Sequence, residues 1–438
     1  MIQVSTLLAS VLAIDPQASR VDLSGGVVAE VRGGYAPVAP NQPSQFSFLT
    51  LVTPNVDLRY RHRRGGTLTF GYAPRMLLRL PNILSLKRPL FLHQLQLSHS
   101  VALDRRWNMT TSAAASVGEL DYTALGIAFN GQQTAAPQAD VIQFAIGDLG
   151  LNFTGRLDAR RSLAIVPSAG LRVPFNQSPA PGQTSFPAQY AGNLGLAYSE
   201  AVAPLDDVYV QSYQGVVDFR PGGLFVNSDT RVGWTRQVRR RLETRLDGGV
   251  FNAQVLAQQD APNRLRGRVL PVGSFRLGGR LRARARYTMD GAFATGLSGF
   301  FDVLGGNVSP RATGSVQLTV AMPPRWTFGV VSAIYTAATL RPLPTASNGV
   351  PQTESSFLNQ VPIGYRIDDT KSVEFGFIAN IRTPHLASSS FTGTQLEAWL
   401  YVAFRIAGGT ARGGREVTRR GVGSGQGANV GNGGVPVR

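Results

Sequence analysis

Apolar and polar side chains alternate along most of the chain, in segments that are separated by turns. In residues 56–74, Val56, Leu58 and Tyr60 fall on one face and the charged residues between them on the other. A turn at Arg64–Gly66 follows, and the same alternation then resumes. Side chains with a period of two point to opposite faces of a β-strand. The pattern therefore predicts an all-β chain whose strands each have one apolar and one polar face.

The connections between these segments fall into two classes. Short polar turns are predicted at 103–107, 157–162, 204–207, 238–241, 277–280, 322–325 and 367–371. Longer connections, rich in Gln, Ser, Ala, Pro and Gly, are predicted at 119–144, 175–189, 291–310 and 339–356. A soluble β-sandwich has no need of two such classes, and we find no repeat of the length that a β-propeller requires.

Dividing the chain at the turns predicts about eighteen strands, an even number as bacterial single-chain membrane barrels require. Residues 190–219 are the weakest part: Tyr190 and Leu194 begin one apolar face, and Tyr209, Tyr213 and Val217 are predicted to continue it on the next strand. If this region is a loop, the count falls to about sixteen. No apolar run approaches the ~20 residues of a transmembrane helix, so a membrane protein with this sequence crosses as strands. A closed antiparallel barrel leaves no exposed edges.

The ends of the apolar faces and the last strand carry aromatic residues. The predicted interfacial aromatics are Tyr35, Tyr60, Trp107, Phe219, Trp234, Trp326, Tyr365 and Phe391. The last strand, "TQLEAWLYVAFRI", places Leu396, Leu400 and Phe404 on one face. In this pattern, and in its closing strand, the chain resembles bacterial outer-membrane β-barrels. The resemblance implies a Gram-negative outer membrane, short periplasmic turns and longer extracellular loops.

Three regions are predicted. Residues 1–20 resemble a signal peptide, because Val4–Ala13 is a short apolar run with small residues near its end. Residues 21–407 form the barrel. Residues 408–438 are rich in Gly and Arg and nearly free of apolar groups, so this tail is predicted to be disordered.

Composition removes several function classes. The 438-residue chain has a net charge of +17, almost all from arginine, and it has no cysteine. Thiolate metal sites and cysteine nucleophiles are therefore excluded. The arginines are spread along the chain without a nucleic-acid-binding motif, so no nucleic acid partner is predicted. No cofactor or metal site is predicted either.

The histidines suggest no catalytic group. His93 and His99 fall by parity on the apolar face, a position that favours an interface or a subunit contact. The weak alternative is a serine nucleophile, Ser98 or Ser100, activated by His99, but the sequence supplies no matching orienting acid. We therefore do not expect an enzyme, and no catalytic residue is assigned.

Arginines recur at every second position in two neighbouring segments. A turn near Gly279 is predicted to place Arg276 directly across from Arg282. Because arginine facing lipid near the midplane costs ~2–4 kcal/mol, the row is predicted to line the lumen. Its members are Arg264, Arg266, Arg268, Arg276, Arg282, Arg284 and Arg286. Glu243, Asp247 and Asp290 are partial counter-charges. The row is either a charge ladder balanced by acidic loops or an electropositive track for anions.

The sequence thus predicts a translocation channel for solutes or polymer, with a preference for anions. Its size resembles two subgroups of outer-membrane barrels: porin-type diffusion channels, and barrels that partner periplasmic polysaccharide-export proteins. We place the pore of a polysaccharide-export pathway first and passive diffusion close behind. A non-conducting scaffold or adhesin is the third interpretation. The implied partners are outer-membrane lipid and lipopolysaccharide, the barrel-assembly machinery and, for export, a periplasmic export protein.

Overall fold

The computed structural model describes residues 20–37, 44–62, 66–80, 89–121, 141–175, 188–220, 223–239, 241–258, 268–284, 287–301, 308–338, 353–383 and 395–409. All of its regular structure is antiparallel β-sheet. The strands are β1 (Arg20–Pro37), β2 (Ser44–Arg61), β3 (Thr67–Tyr72), β4 (Arg75–Leu80), β5 (Leu90–Ala102), β6 (Trp107–Asp121), β7 (Val141–Arg156), β8 (Arg161–Phe175), β9 (Ala188–Ala203), β10 (Asp206–Arg220), β11 (Gly223–Arg239), β12 (Leu242–Gln258), β13 (Arg268–Arg284), β14 (Tyr287–Phe301), β15 (Val308–Met322), β16 (Trp326–Ala338), β17 (Thr353–Arg366), β18 (Lys371–Thr383) and β19 (Gln395–Gly409). No helix among the described residues is long and apolar enough to cross a bilayer.

The segments form one closed barrel of 18 strands. β3 and β4 both lie between β2 and β5, each pairing with one half of β2, so they are two parts of one barrel strand. The strand is interrupted at Ala73–Pro74, because proline has no N–H to give to the ladder. The predicted closed barrel of about eighteen strands is confirmed, including the strands at 190–219.

The first and last strands close the barrel. β1 pairs with β19 from Ser24 opposite Gly409 to Tyr35 opposite Ala398. In this register Val31 and Val402 are neighbours, and both are exposed on the same face. The closing strand predicted from the sequence is therefore confirmed, with its apolar face as expected.

The two faces of the wall differ in chemistry. The large exposed apolar side chains fall on one face, strand after strand, with Leu400 at 68% exposure and Val269 at 67%. The opposite face holds buried charged residues such as Glu30, Arg231 and Asp247. The exposed apolar face is the outer, lipid-facing surface of a membrane barrel, and the charged face lines the interior.

The two ends of the barrel differ in their connections. At one end, which we call the turn end, successive strands are separated by two to five residues, as between Ala203 and Asp206. Arg20 and Gly409, the outer ends of the first and last strands, lie at this end too. At the other end, the loop end, connections reach the length of residues 122–140, although β10 and β11 are separated there by only two residues. The predicted asymmetry is confirmed; which end faces the periplasm stays a prediction.

Three of the predicted turns share one construction. The Oδ1 atoms of Asp104, Asp158 and Asp368 each accept hydrogen bonds from the backbone N–H groups two and three residues later, at 2.6–2.9 Å. In each, the residue before the aspartate also donates its N–H to the carbonyl four residues on. The recurring sequence is Leu or Ile, then Asp, then three residues that return the chain to the next strand. An aspartate that caps its own turn explains the repetition.

Outward-facing aromatics mark the turn end. Trp326 stacks on Phe328 and contacts Tyr365, their ring centroids lying 6.2 and 4.7 Å from that of Trp326. Tyr60, Trp107 and Trp234 lie near the turn end of their own strands, as the sequence predicts. Such a girdle is typical of the membrane interface. Phe219 was predicted to join it, but this is wrong: Phe219 is 3% exposed and packs against Phe225 on the inner face. Phe391 lies outside the described residues.

The predicted faces of β10 are reversed. The outer face carries Val208, Val210 and Val216, whereas Tyr209 and Val217 are buried on the inner face. Tyr213, also predicted to lie outward, shares their parity. Tyrosine misled the prediction because its ring is apolar while its hydroxyl accepts a buried hydrogen bond, so it suits a polar inner wall as well as an interface.

Two predicted boundaries are also wrong. Residues 277–280 do not form a turn but lie inside β13, which continues to Arg284. Residues 291–301, predicted as part of a connection, belong to β14. Gly279 has a φ of +141°, and a Cβ there would overlap the carbonyl of Arg241, to which Arg280 donates its N–H at 2.8 Å. The glycine is required for a close approach of two strands rather than for a turn.

Candidate functional site: the inner wall of the barrel

The most extensively bonded part of the inner wall lies on β10 to β13, around Asp247. One carboxylate oxygen of Asp247 accepts a hydrogen bond from Arg231 at 3.2 Å. The other accepts from the hydroxyls of Tyr209 at 3.1 Å and Ser274 at 2.6 Å. Alternation places all four side chains on the same face of four successive strands. The result is a buried anion held from three sides.

Arg231 is held equally firmly. Its Nε and Nη2 atoms both donate to Asp229, two residues earlier on β11, at 2.7 Å each. Its third nitrogen, Nη1, reaches Asp247. A guanidinium that bridges two carboxylates satisfies most of its donors, as a buried arginine must. Arg231 is therefore a structural part of the wall, and its donors are not available to bind a solute.

Arg245 extends the network toward the turn end. Its Nε donates to the Tyr209 hydroxyl at 2.7 Å, and its Nη2 donates to Gln211 at 3.2 Å. The guanidinium lies over the Tyr209 ring, 4.4 Å from the centroid, in cation–π geometry. Its contact with Asp247 is longer, at 3.9 Å. Asp229 and Asp247 together carry one negative charge more than Arg231 supplies, and Arg245 balances it across this longer contact.

Arg276 adds a second cation beside Arg245. The two residues are directly opposite each other on β12 and β13, and Arg276 is exposed. Within the described part of the chain, no acidic group lies within ion-pair distance of Arg276. Arg280, four residues further along β13, forms an ion pair with Asp290 at 3.0 Å. On this part of the wall three arginines (Arg231, Arg245, Arg276) stand against two aspartates (Asp229, Asp247), so the excess of positive charge lies at Arg276.

The structure brings together only part of the predicted arginine row. Arg264, Arg266 and Arg286 lie outside the described residues, and Arg268 is placed as the first residue of β13. Arg276 faces Arg245 and Ala294 rather than Arg282, which corrects the predicted pairing. The backbone register places Arg282 opposite Met289 and Arg284 opposite Tyr287. A register irregularity between Arg280 and Arg282 breaks the alternation, so equal parity no longer implies an equal face.

The three predicted counter-charges have different surroundings. Asp247 forms ion pairs with Arg231 and Arg245, and Asp290 forms one with Arg280. Glu243 is exposed and lines a cavity of about 430 Å³ at the turn end, beside Asp207 and Arg160. None of the three contacts Arg276. The sequence placed Glu243 and Asp247 on the strand before Arg276, as observed, but it placed Asp290 on the strand of Arg282, whereas Asp290 lies on β14.

A second polar cluster lies on the part of the wall where the barrel closes. Glu374 accepts hydrogen bonds from the Tyr401 hydroxyl and from Arg405, both at 3.0 Å. On β1, Glu30 is paired with Arg32. These contacts hold acidic and basic side chains together on β18, β19 and β1. The unpaired positive charge is smaller here than at Arg276 on β13.

Sequence analysis missed two apolar clusters on the inner face. One consists of Ala36, Leu49, Leu51, Leu77, Leu90, Ile378, Trp399, Tyr401 and Ala403. The other consists of Val217, Phe219, Phe225, Phe251, Ala253 and Val272. Most of these positions lie in the loop-end half of their strands. The inner wall is therefore polar toward the turn end and partly apolar toward the loop end. A signal was present, since β2 is apolar at Phe48, Leu49, Leu51 and Val52 and so has apolar residues on both faces.

His93 and His99 form no catalytic pair with Ser98 or Ser100. His93 and His99 lie on the outer face, as predicted by parity, whereas Ser98 and Ser100 lie on the inner face of β5. His93 stacks on Tyr72, and its Nδ1 shares a hydrogen bond of 2.8 Å with the tyrosine hydroxyl. The described residues contain no group of three or more His, Cys, Asp or Glu that could hold a metal ion.

Comparison with known proteins identifies no family. No family model and no curated protein matches the sequence. Among solved structures, OccAB4 of Acinetobacter baumannii has a TM-score of 0.43 and 10% identity over 90% of this chain and 100% of its own. OccK2 (OpdF) of Pseudomonas aeruginosa, in complex with glucuronate, has 0.44 and 8% over 88% and 98%. The outer membrane channel DcaP of A. baumannii has 0.40 and 9% over 90% and 99%. These likenesses are too distant to transfer a role to any residue.

Proposed function

We propose that this protein is a porin-like channel that lets small solutes, preferentially anions, cross the outer membrane. The observation that carries the proposal is the closed 18-stranded barrel with an apolar outer face and a charged inner face. Barrels of about 16–18 strands are wide enough for an aqueous channel, whereas barrels of about eight fill their interior with side chains. Buried ion pairs on the inner wall fit a passage that is lined by water.

The preference for anions is supported by the arrangement of charges on β12 and β13. Arg245 and Arg276 are adjacent, and the nearest acid to Arg245, Asp247, is bonded to Arg231. A fixed cation on a low-dielectric wall attracts anions and repels cations that pass nearby. The Asp229–Arg231–Asp247 group carries a net charge of −1, which Arg245 offsets, so Arg276 is the surplus cation on this part of the wall.

Passive diffusion of small solutes is favoured over polysaccharide export. The polar groups described above are held in place by short hydrogen bonds and by ion pairs, which is what a fixed selectivity region needs. No observation on the described inner wall specifically favours a polymer. The partners expected from the sequence likewise stay predictions.

Solute flux into proteoliposomes tests the proposal. The purified barrel, shown to be folded by its heat-modifiable migration, is reconstituted and challenged with neutral, anionic and cationic solutes of one size. We expect swelling with all three, fastest with the anion, and none in protein-free liposomes. A folded barrel that admits no solute would refute the channel function; equal rates for the three solutes would refute only the anion preference.

A further inference from the structure

The outer face of the barrel is not apolar throughout. Six neutral polar residues form one patch on three neighbouring strands, which we call the outer polar patch: Ser212 and Gln214 on β10, Ser228 and Thr230 on β11, and Asn252 and Gln254 on β12. They share the outer face with Val210, Val216 and Val232. Cross-strand pairs join them, with Gln214 opposite Ser228 and Ser228 opposite Asn252.

The patch lies at the depth of the hydrocarbon. Val208 is opposite Trp234, which belongs to the aromatic girdle of the turn end. Ser212 and Gln214 are four and six residues further along β10 from this level, and Asp218 and Arg220 follow only near the loop end. An apolar band about 25 Å tall corresponds to roughly ten residues of a tilted strand. The patch is therefore near the middle of the band.

Part of the hydrogen-bonding capacity of the patch is used internally. The hydroxyls of Ser212 and Thr230 share a hydrogen bond of 3.0 Å, and the Gln214 amide donates to Ser212 at 3.0 Å. A primary amide has two N–H donors and a carbonyl with two lone pairs. Gln214, Thr230 and Gln254 are exposed. Lipid tails offer no hydrogen-bond partner, so leaving these groups against them is costly.

We propose that the outer polar patch is the contact surface for a second copy of this chain. Amide and hydroxyl groups both donate and accept, so a patch made of them is complementary to itself, as a two-fold contact requires. All six groups are uncharged, so two copies meet without repulsion. A two-fold axis along the membrane normal keeps each residue at its own depth, which brings Gln214 and Ser228 of one copy to the level of the same residues in the other.

The surface is large enough for a stable contact. The outer face of β9 to β13, with neighbouring strands about 4.8 Å apart and tilted, presents roughly 600–800 Å² over a band 25 Å tall. A standard protein interface buries about 800 Å² on each partner. The valines beside the patch supply close packing, and the polar groups supply hydrogen bonds, which together drive association inside a bilayer.

Cysteine cross-linking tests the contact, and the chain has no native cysteine to confuse it. Ser212, Gln214, Ser228 and Thr230 are replaced singly by Cys, and oxidation is carried out on outer membranes. Leu400→Cys, on the outer face of β19 on the opposite side of the barrel, and Asn359→Cys, a polar outer position on β17, are the controls. We expect at least one patch variant to give a covalent dimer at a yield at least ten-fold above both controls.

A second set of variants asks whether the polar groups themselves hold the copies together. Gln214→Leu combined with Thr230→Val keeps the outer face compatible with lipid, so heat-modifiable folding should persist. We expect the particle mass in mild detergent to fall from dimer toward monomer, with at least a ten-fold weaker association. A wild-type barrel that is monomeric, or a dimer that is cross-linked through Asn359→Cys or Leu400→Cys instead of the patch, would overturn the proposal.

Discussion

Single side chains on the inner wall have roles that their surroundings define. Asp247 is buried and receives hydrogen bonds from Arg231, Tyr209 and Ser274. Glu243, four residues earlier on the same strand and the same face, is exposed and has no ion pair within the described residues. Two acids of similar chemistry thus differ in what they contribute. Asp247 holds neighbouring strands of the wall together, and Glu243 only adds negative charge.

Replacing these two acids separates the roles. Asp247→Ala leaves Arg231 and Arg245 partly unpaired, so we expect a loss of about 3–5 kcal/mol in the free energy of unfolding. Glu243→Ala should change it by no more than ~1 kcal/mol. Denaturant unfolding of the barrel refolded into lipid vesicles measures both. Equal effects of the two substitutions would show that the Asp247 network does not stabilise the wall.

Gly279 offers a test of backbone geometry. Its φ of +141° and the overlap that a Cβ would have with the Arg241 carbonyl both disfavour any other residue. We expect Gly279→Val to destabilise the barrel by roughly 1–3 kcal/mol. Gly248→Val is the matched control, since no atom lies within 4 Å of a Cβ at Gly248. A Gly279→Val barrel as stable as the control would contradict the strained approach of β13 to the β11–β12 turn.

Residue identity explains which positions the sequence predicted and which it did not. Val, Leu and Phe on β19 face outward as predicted, because these side chains have no polar group that could form hydrogen bonds on the water-lined inner face. Tyr209 was assigned to the wrong face, because its ring is apolar but its hydroxyl bonds both Asp247 and Arg245. The bonded partners of Asp247 lie on three other strands, β10, β11 and β13, and no local sequence pattern encodes contacts across four strands.

At the level of elements, the aspartate turns are the clearest local signal. Asp104, Asp158 and Asp368 each cap the turn that they begin. The Thr370 hydroxyl and backbone N–H hold the pKa of Asp368 below its ordinary value, and the backbone N–H of Arg160 does the same for Asp158. A lowered pKa in the folded state means that the charged carboxylate is the form that stabilises the turn.

The pH dependence follows from that sign. The contribution of Asp368 is fully present above the ordinary aspartate pKa of about 3.9 and is lost as the pH falls through the lowered value of the folded protein. Thr370→Val removes the hydroxyl, so the pKa of Asp368 should rise toward its ordinary value while that of Asp158 is unchanged. Carbon-13 shifts of the two carboxyl groups, followed by NMR from pH 2 to 6, measure both. An Asp368 titration that is identical in wild type and Thr370→Val would contradict the proposed cause.

The turn predicted at Gly278–Gly279 was wrong, because the glycine at 279 is required for a close approach of two strands and not for a turn. The Gly278–Gly279 pair was interpreted as a turn, yet β13 passes through it without reversing. The arginine alternation on either side is broken by a register shift, which no periodicity analysis detects. Of the predicted arginine row, Arg276 is the member whose side chain the structure describes, and its partner on β12 was not suggested by the sequence.

For the whole molecule, the strand count and closure were predictable because they depend on repeated local patterns. The orientation in the membrane is a further prediction. If the turn end faces the periplasm, a cysteine at Asp369, which is 98% exposed in its turn, should resist an impermeant thiol reagent on intact cells. A cysteine at Ser347, in the connection between β16 and β17, should react. Labelling of Asp369→Cys alone would reverse the orientation.

Reversal potentials across a planar bilayer show whether the barrel encloses a water-filled channel and whether its wall favours anions. In a salt gradient, the wild-type barrel should conduct with a preference for chloride over potassium. Arg276→Gln combined with Arg245→Gln should lose that preference, most clearly at low salt, where the Debye length is long. Arg220→Gln, on the outer face near the loop end, should not. A folded barrel that does not conduct would rule out the channel, and a selectivity that the double substitution leaves unchanged would rule out a role of Arg245 and Arg276 in it.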